Sequence, residues 1–297
     1  MSAAAEVARR ESSLRQIELR VNHRLDGLLH GDHLSLVRGA GMDAGDARLY
    51  EPGDDARRID WALTARRDAT HVRDTIADRE LELWFVIDGT ASLDFGTARC
   101  EKRDLALAAV GAFALIAVRN GSRVGAVCFD GAGSTVVPPR TGRDAALALM
   151  HRLEQRPRSE SGAGSLAAAL RRTRTVATRR GLVVVVSDLL DDSDWGRELR
   201  ALGTRHEVVV AEVRDQREDT MPAVGLLTLV DPETGRRQEV QTNSARLRKR
   251  FAAAAVERRK RLATTARASG ASHLVLCTDR DWLLDVVRFS AARRSRR

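Results

Sequence analysis

At 297 residues, with 43% hydrophobic and 31% charged side chains, the chain carries enough apolar material for one sizeable core and has the balance of a folded, soluble protein, which excludes a disordered one. Its net charge of +9 comes from arginine, but four Trp and one Tyr offer no stacking platform for bases, so the basic clusters at 246–250, 258–261 and 293–297 read first as solvated helix faces and nucleic acid ranks behind a protein partner. Cys100, Cys128 and Cys277 are too scattered for a zinc pair and odd in number for a secreted disulfide framework.

Residues 1–30 carry charges throughout, and nothing later approaches the roughly 18 uninterrupted apolar residues of a spanning helix, so a cytoplasmic chain without a transmembrane segment is expected. Within that first segment, residues 3–29 place Leu14, Ile17, Leu19, Val21, Leu25 and Leu28 close enough to helical spacing to predict a helix with an imperfect stripe. From 31 to 78 the texture changes to glycines and turn formers, which predicts loops and short strands such as 70–75.

The remainder, 79–297, alternates. Strands are expected at 81–88, 124–129, 135–137, 182–186, 206–213 and 273–277, and helices at 103–118, 143–153, 166–178, 195–202, 244–268 and 282–289. A hairpin turns around Asp231-Pro232-Glu233-Thr234-Gly235, within about 223–241. Such alternation defines an α/β fold: a doubly wound, mostly parallel sheet with helices on both faces.

In open α/β sheets ligands gather beyond the carboxyl ends of the strands, so acids placed there are the first to question. Asp88 closes one expected strand and Asp188 follows another, each leading into polar loop residues. Asp88-Gly89-Thr90-Ala91-Ser92 puts a carboxylate and two hydroxyls at alternate positions, hard oxygens that suit magnesium or manganese. The same residues also read as a plain strand-end turn whose hydroxyls cap the next helix.

Asp88-Gly89-Thr90-Ala91-Ser92 resembles the first loop of the metal-ion-dependent adhesion site of von Willebrand factor A domains, and Val186-Ser187-Asp188-Leu189-Leu190 resembles its later aspartate loop. Upstream, Arg48-Leu49-Tyr50-Glu51-Pro52-Gly53-Asp54-Asp55-Ala56-Arg57-Arg58-Ile59-Asp60-Trp61, with Thr64-Ala65-Arg66, is similar to the signature of the bacterial domain-of-unknown-function family fifty-eight, which sets this block before an A-like domain. The resemblance implies a von Willebrand factor A-like fold and a non-catalytic module that works with a MoxR-type AAA+ ATPase to assemble or activate other protein complexes, with no small-molecule substrate. It also implies Mg2+ or Mn2+ held by Asp88, Thr90, Ser92 and Asp188. A domains offer a threonine in a middle loop, where this chain has Gly164, followed by Ser165, whose hydroxyl reaches the site only if the loop shifts.

The signature block has two readings: Gly53, Asp54, Asp55, Arg57, Arg58, Asp60, Trp61 and Arg66 form either a turn and ion-pair lock or a docking surface, the lock being favoured. Two other functions compete with the docking module. One is a metal-dependent phosphoester hydrolase using Asp88 and Asp188 on the cation and an aspartate of the Gly53-Asp54-Asp55 block as base, opposed by the lack of a phosphate-binding glycine loop or a Ser-His-Asp or Cys-His grouping. The other is a basic nucleic-acid-binding protein.

Overall fold

The computed structural model describes residues 47–51, 59–67, 69–73, 81–158, 162 and 164–295. The expected helix over 3–29 and the signature residues Gly53, Asp54, Asp55, Arg57 and Arg58 lie outside them.

Strands β1 (Ala47–Leu49) and β2 (His71–Arg73) pair antiparallel around helix α1 (Trp61–Arg67). The sequence texture predicts only loops and strands here, and the helix is a correction to that expectation. Its cause is local: Asp60 Oδ1 accepts from Leu63 N at 3.1 Å, an N-cap that starts the helix, while Asp60 N donates to His71 O and ties it to β2.

The alternating region then builds the core. In chain order it contains β3 (Glu82–Asp88), α2 (Lys102–Arg119), β4 (Arg123–Asp130), β5 (Gly133–Arg140), α3 (Arg143–Glu154), α4 (Leu166–Val176), β6 (Gly181–Ser187), α5 (Trp195–Gly203) and β7 (Glu207–Arg214). It closes with the hairpin β8 (Leu226–Val230) and β9 (Arg237–Gln241), helix α6 (Ala245–Ala268), β10 (Ser272–Cys277) and α7 (Trp282–Ser295).

Six strands form the central sheet in the order β10-β7-β6-β3-β4-β5. All neighbours are parallel except β4 and β5, whose antiparallel pairing places Pro138 and Pro139 on an edge, where a missing N–H does no harm and discourages further pairing. Buried parallel strands read as continuous apolar runs, and β6 shows why: Leu182 and the valines at 183–186 are all buried, facing alternate sides.

Alternation along β3 divides the core. Leu83, Phe85 and Ile87 pack with α2, α3 and α7 on one face, while Trp84 and Val86 pack with α4, α5 and Ala266 of α6 on the other. Each such side chain contributes about 1.5–3 kcal/mol by leaving water. Helix α2 is covered nearly all round, and its alanine-rich sequence lets it sit close on the sheet.

From β3 the chain steps to β4 and β5 on one side, then returns to β6 and continues to β7 and β10 on the other. The order therefore reverses between β3 and β6, and the crevice beyond their carboxyl ends is the switch point where doubly wound sheets bind ligands. Asp88 ends β3, and Asp188 follows β6.

Candidate functional site

Neighbouring strands run about 4.8 Å apart, so residues ending β3 and β6 are held within reach of one another by the sheet itself. Asp88 is buried at 6% exposure and Asp188 at 5%. Ser187 Oγ donates to Asp88 Oδ2 at 2.6 Å, bridging the two strand ends. On the other oxygen, Asp88 Oδ1 accepts from Thr90 N at 2.9 Å and from Thr90 Oγ1 at 2.7 Å, and Thr90 Oγ1 lies 2.9 Å from Ser92 Oγ. The structure thus gathers Asp88, Thr90 and Ser92 into one buried cluster beside Ser187 and Asp188.

Asp188 is aimed by its own turn. Leu189 takes φ 58°, a left-handed conformation that L-residues with a full side chain rarely adopt, and it costs about 1–2 kcal/mol. In return Leu189 N donates to Ser187 Oγ and Leu190 N to Asp188 Oδ1, at 3.0 and 3.1 Å.

Burial pushes the Asp88 carboxyl up from 3.8 to about 7, with Asp188 as the next contributor, against the hydrogen bonds from Ser187 and Thr90 that favour its charge. Two buried carboxylates and two hydroxyls make a hard-oxygen donor set, and that chemistry fits a divalent cation such as magnesium or manganese.

The middle loop contributes differently from the resemblance. A Cβ on Gly164 would stand 2.7 Å from Thr90 Cγ2 and 3.0 Å from Phe129 Cδ2, so a threonine has no room while position 90 keeps its methyl. Ser165 is the N-cap of α4: its Oγ accepts from Ala168 N at 3.2 Å. Asp191 and Ser193, from the loop after Asp188, take Leu166 N and Ala167 N at 2.7 and 3.1 Å, joining the middle loop to the last one.

Several residues that sequence reasoning did not single out complete the site. Lys102, at the start of α2, is 1% exposed, and its ammonium donates to Asp188 Oδ2 at 2.7 Å and Glu218 Oε1 at 2.5 Å. Burial alone would favour the neutral amine, but the two carboxylates outweigh it and raise its affinity for the proton. Glu218 is itself anchored, its Oε2 accepting from Asp215 N at 3.1 Å. The fully buried Asp215 accepts from Thr97 N, Thr97 Oγ1 and Thr278 Oγ1 at 2.8, 2.6 and 2.7 Å, so the loops after β3, β7 and β10 share one carboxylate.

The hairpin tip reaches the same end of the sheet. Gly162 N donates to Glu233 O at 3.2 Å, and the Glu233 carboxyl is pushed above its ordinary range by burial first and then by Asp188 and the acids at 231, 191 and 192. Beside Asp88, Gly89 and Thr90 a cavity of about 900 Å³ opens, walled by Arg99, Arg156 and Trp282 among others.

Of the signature residues, Asp60 caps α1 as described, Trp61 is 70% exposed and Arg66 is exposed in the last helical turn. Among the described residues no helix is long and apolar enough to cross a membrane.

Comparison with known proteins shows where this chain stands. It is 49% identical over 284 residues to the uncharacterized protein Rv1480 of Mycobacterium tuberculosis, spanning 95% of this chain and 89% of that one, and an uncharacterized protein of Mycobacterium bovis matches to the same extent. Among solved structures, the conserved hypothetical protein BatB from Bacteroides thetaiotaomicron aligns with a TM-score of 0.46 at 10% identity, over 73% of this chain and all of that one. The SpRpn10 VWA domain aligns at 0.38 and 11% identity, over 70% and 93%. A family model described as "Protein of unknown function DUF58" matches residues 46–261, and with a relative nearly half identical along almost its whole length, this protein belongs to that family.

Proposed function

We propose that the chain is a non-catalytic protein-interaction module that docks a partner at the crevice between β3 and β6, with Mg2+ or Mn2+ held by Asp88, Thr90, Ser92 and Asp188. The observation that carries the reading is the meeting, at the switch point, of two buried carboxylates and two hydroxyls. Bound there, a divalent cation supplies an electrophilic position for an acidic side chain of the partner.

The chain's own residues do the rest. Ser187 and Thr90 orient the Asp88 carboxylate, the turn at Leu189 aims Asp188, and burial keeps water from diluting the charge. The partner belongs to the MoxR-type AAA+ ATPases, whose work on other protein complexes supplies the energy that a docking module lacks. What supports this part is the resemblance of the Arg48 to Arg66 block and of the two aspartate loops.

The test is capture of such an ATPase from its own host, using the tagged full-length chain as bait. Wild type in magnesium is expected to retain it, and wild type in chelator or Asp88→Ala in magnesium to lose it. Equal recovery in all conditions sinks the metal-assisted reading, and recovery of no AAA+ ATPase by wild type sinks the partner assignment.

A further inference from the structure

Lys102 is a cation of the chain's own, seated where a metal ion would meet its last ligand. Its ammonium bridges Asp188 Oδ2 and Glu218 Oε1 at 2.7 and 2.5 Å, and the Phe95 ring lies 5.9 Å away, centroid to Nζ. Both oxygens of Asp188 are engaged, since Oδ1 accepts from Leu190 N. A cation can reach Asp188 only by sharing or displacing the lysine.

We infer that Lys102 is a built-in competitor for the divalent cation: its ammonium holds the Asp188 carboxylate that the cation uses, and Glu218 is where the ammonium rests once the cation has taken Asp188 over. The inference rests on the metal reading of the site. Three observations support it. Glu218 already holds the ammonium, so displacement from Asp188 leaves no buried charge unpaired, the situation that would be most costly. Asp215 N and the short turn Gln216–Glu218 fix Glu218 in place as a second seat. Lastly, two carboxylates, Asp188 and Glu218, hold the one ammonium, so the cluster keeps a net negative charge that draws a dication while the two cations still contend for Asp188.

The site therefore has two settings. With lysine on Asp188 the crevice is self-satisfied and offers no electrophile. With metal on Asp188 the lysine retires to Glu218 and the crevice is armed for an acidic side chain. Cation affinity is held down by the energy of the Lys102–Asp188 contact, so the site fills only when metal is abundant or when a partner adds its own carboxylate.

The experiment is a titration of the purified full chain with Mn2+, followed by electron paramagnetic resonance of free manganese and repeated with Mg2+ by calorimetry. Lys102→Met is expected to tighten binding by at least about tenfold, because the competing charge a few ångströms away is gone. Glu218→Gln is expected to weaken it by a similar factor, because the ammonium then commits to Asp188. Arg103→Met, which removes a neighbouring cation paired with Asp94, is expected to leave affinity within about twofold. A purely structural role for Lys102 would make both site variants lose binding.

Equal affinity in wild type and Lys102→Met, with loss in Asp88→Asn, overturns the inference and leaves the metal reading standing. Absence of Mn2+ binding in every variant overturns both. If near-ultraviolet circular dichroism shows Lys102→Met unfolded, Lys102→Gln, which keeps a polar side chain but no charge, takes its place: tighter binding supports the inference, and unchanged or weaker binding overturns it.

Discussion

Asp88 is the crevice carboxyl that the fold perturbs to a measurable degree. Its carboxyl is pushed from 3.8 to about 7 by burial, then by Asp188, so the fold favours the neutral form. Between those values the folded chain keeps a proton that the unfolded chain releases, and stability falls as pH rises through this window. In chelator, the wild-type melting temperature should fall from pH 4 to pH 7.5 by an amount that Asp88→Asn largely removes, a difference on the order of 1–4 kcal/mol at the upper pH. Parallel pH profiles for the two proteins would show that Asp88 is not under this strain. At this scale the sequence was legible where chemistry lay close together: a carboxylate and two hydroxyls within five residues announced Asp88, Thr90 and Ser92. It was silent on Lys102, because a lysine at the head of a helix looks solvated and its partner Glu218 stands 116 positions away. The Gly164 departure is visible in the sequence, but the Thr90 methyl that crowds the position lies in another loop.

Elements keep the crevice in register. β6 begins at Gly181, where a Cβ would fall 2.0 Å from Glu82 O, so β3 and β6 come together only because position 181 has no side chain. Gly181→Ala should cost about 1–3 kcal/mol in urea unfolding and reduce amide protection along 83–86. A variant with wild-type stability and protection would mean that the strand start shifts freely, which would also unfix Asp188. The strands that proved easiest to read were those with apolar runs on both faces, such as β6 and β7, since burial from two sides leaves no polar alternation to confuse the pattern. Edge strand β5, mostly half-buried or exposed, runs from Gly133 to Arg140 where only 135–137 stood out. Helix α1 was missed because seven residues hold too few turns for a periodic stripe, and its cap, Asp60, reads equally well as part of an acidic turn.

Across the whole molecule, Asp215 binds the separate loops into one frame. Thr97, Thr278 and Glu218 all meet it, and the last carries Lys102 and so Asp188. Asp215→Ala should cost about 2–4 kcal/mol by leaving buried hydroxyl and amide donors without acceptors. The distinguishing readout is hydrogen exchange, where the amides of Thr97 and Arg217, both donors to the Asp215 carboxylate, should lose protection together; a loss confined to one loop would show that the frame is not shared. The α/β architecture itself was legible from strand and helix alternation, whereas this frame was not, since its members are scattered from 97 to 278 and no local pattern joins them.

The reversal of strand order between β3 and β6 has a consequence in time as well as in space. The links that make the crevice join residues 99 positions apart for Ser187 and Asp88, 116 for Lys102 and Glu218, and 118 for Thr97 and Asp215. Contacts of such long separation close late, after the loops between them have lost their freedom. No nascent fragment ending before β7 contains the whole crevice, and a chain with its second half misassembled does not present it. A partner that docks here, as proposed, would thereby distinguish a finished molecule from an unfinished one, and the proposed docking surface would double as a certificate of correct folding.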